Sequence, residues 1–193
     1  MSIMIALDAG HGLSNRKSGV YEPGAVYVEE KFNLIYREAD ITFYYSQVLA
    51  ALLETKGYGV FQTRRSIDAE VPLSSRVSMV EDENCDALIS IHLNAFSSPS
   101  ASGCEVLYGD YEKDADLARV LLAGVVNAGL KIRSRGIKER SELSILKYNK
   151  PAALLEIGFI TNESDRENIC DLIKAKKICE SIADHIKMLG IKS

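Results

Sequence analysis

The chain opens with an apolar run over residues 3–9 that stops at Gly10-His11-Gly12. A short continuous apolar run is typical of a strand buried on both faces of a parallel sheet, which needs helices on each side. Glycine on both sides of His11 lets the backbone turn sharply where the strand ends. Functional sites of open α/β folds form at this carboxyl edge of the sheet. His11 is therefore a candidate functional residue if the chain supplies partners; without them it is a histidine in a tight turn.

Helical and strand patterns alternate along the rest of the chain. Apolar residues at helical spacing, ended by Gly57, predict a helix over residues 38–56. The segments 13–31 and 131–150 are predicted to be irregular. The alternation predicts one α/β domain whose sheet is covered on both faces. The other predicted elements are helices over 72–83, 114–130 and about 162–188, and strands over 59–63, 86–92, 103–108 and 151–159.

Length, charge and cysteine spacing limit the class of protein. A chain of 193 residues can form one domain with a sizeable core. The net charge of −4 argues against a protein that binds nucleic acid phosphates. We expect no membrane segment, because no stretch is long and apolar enough, and no export signal, because the N-terminus lacks that pattern. The four cysteines form no Cys-x-x-Cys pair, so we expect free thiols.

Three further residues could join His11 in a site. His92 ends a predicted strand, and Glu156 interrupts an apolar strand, where a charge is costly unless it is paired or functional. Glu38 starts a helix on its inward face, although it could also simply interact with the helix dipole. Two histidines and a carboxylate that leave a fourth position open are the ligand set of a catalytic zinc. A second carboxylate can serve as the base for hydrolysis.

Several other polar residues leave alternatives open. Glu29 and Glu30 precede the helix and compete with Glu38 as the acidic ligand. His185 lies late in the C-terminal helix and is expected to be a surface residue. Residues of the 13–31 loop could contact a substrate or be solvated: Asn15, Arg16, Lys17, Tyr21 and Glu22. A basic group in the second irregular segment could be solvated or could hold an anionic polymer: Arg133, Arg135, Lys138 and Arg140.

Motifs spread over nearly the whole chain resemble, in order, the zinc-dependent N-acetylmuramoyl-L-alanine amidases. Thr42 stands where this family often has asparagine, and the longer loop before Glu38, which keeps Glu29 and Glu30 open, is similar to loops of phage endolysins in the family. The matching segments are LDAGHG at 7–12, EADITF at 38–43 continuing ungapped to LLETKGY at 52–58, SIHLNA at 90–95, GCEV at 103–106, RGIK at 135–138 and LLEIGFITN at 154–162.

The resemblance implies a fold similar to zinc carboxypeptidases: a twisted, mostly parallel mixed sheet of about six strands with helices on both faces. It implies that residues 1–193 are a single catalytic amidase domain without a separate wall-binding domain. Its substrate is peptidoglycan, a muramyl peptide polymer. An enzyme of this class acts on the cell wall, and this chain would be synthesised in the cytoplasm.

The resemblance also assigns roles. His11, Glu38 and His92 would hold Zn²⁺, and Glu156 would be the catalytic base. The bond cut joins the lactyl group of N-acetylmuramic acid to L-alanine. The predicted substrate-binding residues are Arg64, Asn94 and Glu105, of which Arg64 could also be a surface residue. The alternatives are another zinc peptidase, such as a carboxypeptidase, a non-catalytic wall-binding relative, and a plain structural protein, which would leave Glu156 in its buried strand without a reason.

Overall fold

The computed structural model describes residues 2–189. The chain forms ten strands and five helices among these residues, together with three short 3-10 turns at Glu30–Phe32, Leu73–Ser75 and Ser144–Lys147. The strands are β1 Met4–Ala9, β2 Gly12–Leu13, β3 Tyr21–Glu22, β4 Val26–Glu29, β5 Leu34–Arg37, β6 Gly59–Gln62, β7 Ala87–Asn94, β8 Cys104–Tyr108, β9 Ser134–Glu139 and β10 Ala152–Phe159. The helices are α1 Glu38–Thr55, α2 Arg76–Asp82, α3 Asp114–Val126, α4 Glu163–Ile169 and α5 Leu172–Leu189.

Six strands form the central sheet in the order β6-β1-β7-β10-β8-β9. Strands β6, β1, β7 and β10 are mutually parallel, β8 is antiparallel to β10, and β9 is parallel to β8. The predicted α/β fold with a mostly parallel mixed sheet of six strands is therefore confirmed. Among the described residues, no helix has both the length and the apolar character that crossing a membrane requires.

The two faces of the sheet are covered differently. On one face, Ile91 and Leu155 belong to a large core formed with α1, α3 and α5. On the other face, Leu88 and Leu154 belong to a smaller core with Ile145 and residues of α2. Side chains alternate along a strand, so the residues two positions after Leu88 and Leu154 point to the same face as these leucines. The smaller core therefore leaves part of its face, toward the carboxyl ends of the strands, for polar residues.

Four predicted segments differ from the structure. The 13–31 loop contains β2, β3 and β4, and β4 pairs with β5 in a hairpin that leads directly into α1. The segment 131–150 contains edge strand β9, whose half-exposed residues lack an apolar pattern. The predicted C-terminal helix is broken into α4 and α5. The helix predicted over 72–83 is preceded by a 3-10 turn and begins at Arg76.

Candidate metal centre

His11 lies in a turn whose carbonyl groups accept hydrogen bonds from two arginines. Its backbone has φ 62°, the left-handed region that non-glycine residues seldom adopt, and such strain is common at functional sites. Arg76 donates to the carbonyl oxygens of Ala9 and His11 at 2.7 and 2.8 Å. Arg64 donates to Gly10 O at 3.2 Å. Because both guanidinium groups are buried, the turn cannot relax without leaving their donors unpaired.

A buried ion pair anchors this support. Arg76 Nη1 lies 2.7 Å from Asp8 Oδ1, and both side chains are almost fully buried. Thr63 and Ser90 also donate hydrogen bonds to the Asp8 carboxylate, at 2.6 and 2.7 Å. Burial alone would raise the pKa of Asp8, but Arg76 and the two hydroxyl groups hold it below its usual range. Asp8 is therefore a charged residue buried within the sheet, on β1, two residues before Gly10.

Glu38, the first residue of α1, lies between the two histidines. Its Oε2 is 3.1 Å from His11 Nε2, and its Oε1 is 2.9 Å from His92 Nδ1. Backbone N–H groups of Ala25 and Leu93 donate to the same two oxygens at 2.8 and 3.0 Å. Burial alone would raise the pKa of Glu38, but its hydrogen bonds and charge interactions with the histidines hold it well below its usual range. The carboxylate is thus fixed in position by Ala25, directly before the hairpin, and by β7.

The donor atoms of His11, Glu38 and His92 all lie within 4.8 Å of one another. Their chemistry fits zinc, because two imidazoles and one carboxylate are a ligand set of catalytic zinc sites that leave a position open. His11 Nε2 faces Glu38, and the other ring nitrogen, Nδ1, is buried without a hydrogen bond, with Glu22 Oε1 3.5 Å away. Burial lowers the pKa of His92, but Glu38 reverses this and raises it. The structure therefore brings together the two histidines and the glutamate that the sequence predicts as ligands.

Two glycines provide the space for this cluster. A Cβ atom on Gly10 would meet the imidazole ring of His92, with all three nearest ring atoms under 3 Å. A Cβ atom on Gly24 would lie 2.5 Å from Glu38 Oε2 and 2.6 Å from His11 Cδ2. Gly24 also has φ +67°, which favours glycine for a second, independent reason. The cluster is thus packed directly against backbone on two sides.

Glu156 lies in register with His92 on β7 and with Glu105 on β8. Its Oε2 atom is buried and has no hydrogen-bond partner. Burial, with a contribution from Glu38 and Glu105 and against the opposing effect of His92, raises the pKa of Glu156 to about 7. A carboxyl group that exchanges a proton near neutral pH, beside a metal-type donor set, has the properties of a general base.

The three predicted substrate-binding residues have different surroundings. Asn94 donates to Glu105 Oε1 at 3.3 Å, and Arg135 and Lys138 donate to Glu105 Oε2 at 2.6 and 2.7 Å. Asn94 and Glu105 thus lie together beside the Glu156 strand. Arg64 is fully buried, so the alternative of a surface residue is wrong. Its bonds to Gly10 O and to other carbonyl groups support the turn that carries His11, and burial removes it from direct contact with a substrate.

The competing acidic residues lie outside the cluster. Glu29 is on the hairpin, where it accepts a 3.4 Å hydrogen bond from Tyr36, and Glu30 is exposed in the following 3-10 turn. Among the described residues, only His11, Glu38 and His92 form a group of potential metal donors. His185 interacts with Asn127 and with the Ser181 carbonyl group on α5. Glu22, from the 13–31 loop, lies 3.5 Å from His11 Nδ1.

Asp8 and Arg76 are not among the residues predicted from the sequence. Asp8 had a usable signal, since it interrupts an apolar run just as Glu156 does. Arg76 had none, because its partners come from elements far away in the sequence.

A cleft of about 190 Å³ opens next to the histidines. Its floor includes Ser90 and Leu154, and its outer wall is formed by Leu143, Ser144 and Ile145. The cleft lies on the face of the sheet that carries the smaller core, so it lies on the same side as Glu156. It offers a mixed polar and apolar surface next to the metal-type donors, as expected of a binding site for an organic substrate.

An α/β domain with this donor set at the carboxyl edge of its sheet has the features of a metal-dependent hydrolase. The sequence profile of the N-acetylmuramoyl-L-alanine amidase family matches residues 5–188. The chain belongs to this family.

Relatives and solved structures agree with this assignment. The probable cell wall amidase LytH of Staphylococcus aureus is 30% identical over 184 residues, which are 95% of this chain and 57% of the relative. The chain thus spans a little over half the length of this curated relative. The amidase AmiC2 of Nostoc punctiforme superposes with a TM-score of 0.83 at 27% identity, covering 96% of each chain. The catalytic domain of the amidase CwlV of Bacillus (Paenibacillus) polymyxa var. colistinus gives 0.83 at 26% identity, covering 98% of this chain and 99% of that one.

Proposed function

We propose that this protein is a zinc-dependent amidase that cleaves the bond between N-acetylmuramic acid and L-alanine in peptidoglycan. The observation that carries the proposal is the convergence of His11, Glu38 and His92 within 4.8 Å, with Glu156 in register with His92. Family membership supports the choice of bond. We further propose that residues 5–188 form the catalytic domain and that the cell wall is where it acts.

Different residues of the chain would bind the metal and transfer the proton. His11, Glu38 and His92 would hold zinc, which when bound supplies a Lewis acid for the amide carbonyl and for water. Glu156 takes a proton from the attacking water as the oxygen bonds to the lactyl carbonyl carbon. It then gives this proton to the L-alanine nitrogen as the C–N bond breaks. The products are a lactyl carboxylate and a peptide with a free amino group.

Two sets of variants test which residues bind zinc and which residue acts as the base. His11→Ala and His92→Ala are expected to lose zinc and activity together. Glu156→Gln keeps the three ligands and the side-chain size, so it should keep zinc while cleavage falls by ~10²–10⁴. Exposed Glu142→Gln is the matched control and should keep both. Zinc content is measured by atomic absorption, and products of digested peptidoglycan by mass spectrometry.

The results also test the alternatives. Near-normal cleavage by Glu156→Gln would reject the base, and loss of zinc from it would make Glu156 a ligand. Products cut within the peptide would indicate a carboxypeptidase-like hydrolase. Binding to peptidoglycan without any new amino group would indicate a non-catalytic wall-binding protein.

A further inference from the structure

Two cations from edge strand β9 converge on one oxygen atom beside Glu156. Arg135 Nε and Lys138 Nζ lie 2.6 and 2.7 Å from Glu105 Oε2. Residues three apart on a regular strand point to opposite faces. Here the register of β9 with β8 shifts around Gly136, which has φ +85°, so both side chains reach the same face. A regular strand would not place the two cations together.

The cations exceed the charge that they neutralise. Arg135 and Lys138 share a single carboxylate, so the cluster of these two residues with Glu105 carries one surplus positive charge. Side-chain exposure is 29% for Arg135 and 36% for Lys138, against 10% for Glu105, so the cations form the accessible side of the cluster. Arg135 is further fixed over the Phe159 ring at 4.9 Å. Lys138 has three N–H donors, and its bond to Glu105 uses one.

The distance between Lys138 and Glu156 is comparable to the distance between the cleaved bond and the next residue of the substrate. Glu105 is directly opposite Glu156, and strands are ~4.8 Å apart. Because Lys138 Nζ lies 2.7 Å from Glu105 Oε2, its ammonium group is roughly one to two strand spacings, about 5–10 Å, from Glu156. An extended peptide advances ~3.5 Å per residue. The residue after L-alanine would lie at a comparable distance from the cleaved bond.

Taking the proposed amidase function as its basis, we propose that Lys138, positioned together with Arg135, binds the free carboxylate of the residue that follows L-alanine in the stem peptide. The lactyl carboxyl group of muramic acid is consumed in the amide that is cleaved, so a free carboxylate near this bond belongs to the peptide. Lys138 thereby makes the enzyme prefer acidic stem peptides over amidated ones.

The test uses two synthetic substrates that differ by one group. One is N-acetylmuramoyl-L-alanyl-γ-D-glutamyl-L-lysine amide, and the other carries D-isoglutamine in place of D-glutamate. The wild-type protein should cleave the acidic substrate with kcat/KM about tenfold higher, mainly through KM, as expected for one charged hydrogen bond at a partly exposed site. Lys138→Met should reduce this preference to less than twofold. Lys138→Arg should retain most of it.

Controls separate substrate binding from a structural role. Lys176→Met removes an exposed cation on α5, on the opposite side of the sheet, and should keep the tenfold preference. Equilibrium binding of both peptides to zinc-loaded Glu156→Gln, with and without Lys138→Met, should show the same ratio without turnover. Melting temperature and zinc content of Lys138→Met should match the wild type.

Equal cleavage of the two substrates by the wild type, or an unchanged preference in Lys138→Met, would overturn the inference. Failure of the zinc-loaded wild type to release a peptide with N-terminal L-alanine from either substrate would overturn the proposed function itself. The two failures are distinguishable, because only the second abolishes cleavage of both substrates.

Discussion

The metal-free protein should become more stable when Glu156 is replaced by glutamine, and only at higher pH. The pKa of Glu156 rises from its ordinary value of 4.5 to about 7, chiefly through burial. Folding therefore keeps the proton on this carboxyl group at pH values where the unfolded chain has already released it. The wild type consequently loses stability as pH rises from 4.5 to 7, and the loss is complete above 7. Glutamine has no proton to release, so the variant does not lose this stability as the pH rises.

The size of the effect follows from the pKa. A pKa difference of one unit between the folded and unfolded states corresponds to about 1.4 kcal/mol, so the full loss in the free energy of unfolding is about 3 kcal/mol. Partial exposure of Glu156 reduces this figure to about 2–3 kcal/mol. Glu156→Gln should thus gain about 2 kcal/mol more over the wild type at pH 8 than at pH 5.

Urea unfolding in the presence of a chelator, monitored by circular dichroism at pH 5 and pH 8, measures this difference. Glu142→Gln removes one exposed charge and should change the free energy of unfolding by less than ~0.5 kcal/mol at either pH. A stability difference between Glu156→Gln and wild type that does not grow with pH would refute the reasoning. So would a destabilised Glu156→Gln at pH 8.

Three further outcomes are expected. Glu38→Ala should lose zinc, measured by dye competition, whereas Glu29→Ala should retain it; the reverse pattern would mean that the wrong carboxylate has been assigned. Gly24→Ala should weaken zinc binding at least tenfold, because its Cβ meets the ligands, whereas Gly129→Ala, with φ +73° and open space, should cost only ~1 kcal/mol of stability and no affinity. Arg76→Met leaves a buried charge and three carbonyl groups unpaired, so it should cost about 3–5 kcal/mol and lower Tm by about 10 °C in a thermal scan. A Tm within 2 °C of wild type would contradict the structural role of the ion pair.

The central strands could be predicted because their burial is visible in the sequence. Strands β1, β7 and β10 have both faces covered, so they consist of continuous apolar runs. Edge strand β9 escaped prediction because one side is open to solvent and a bulge breaks its alternation. The β4–β5 hairpin was missed for a related reason, since its exposed residues include Val26, Val28 and Ile35.

The candidate site was predictable to the extent that its residues end strands or interrupt them. His11, His92 and Glu156 are placed by the sheet alone, because parallel strands bring their carboxyl ends to one edge. Glu38 could be distinguished from the nearby acidic residues only by its position on the inward face of the helix. Arg76 could not be predicted, because its role depends on carbonyl groups that only the folded turn directs toward it.

The parallel pairing at the centre of the sheet bears on the order in which the molecule assembles. Ile5 pairs with Ala87, and Ala152 pairs with Leu88, so each contact closes a long stretch of chain. Contacts of this kind form late in folding, because the entropy of closure is lost before packing compensates for it. Among the three candidate zinc donors, His11 directly follows β1 and His92 lies in β7, so these two histidines come together only when the two strands pair. Metal capture during refolding should therefore lag behind helix formation, and an ion-sensitive dye would record when the sheet is complete.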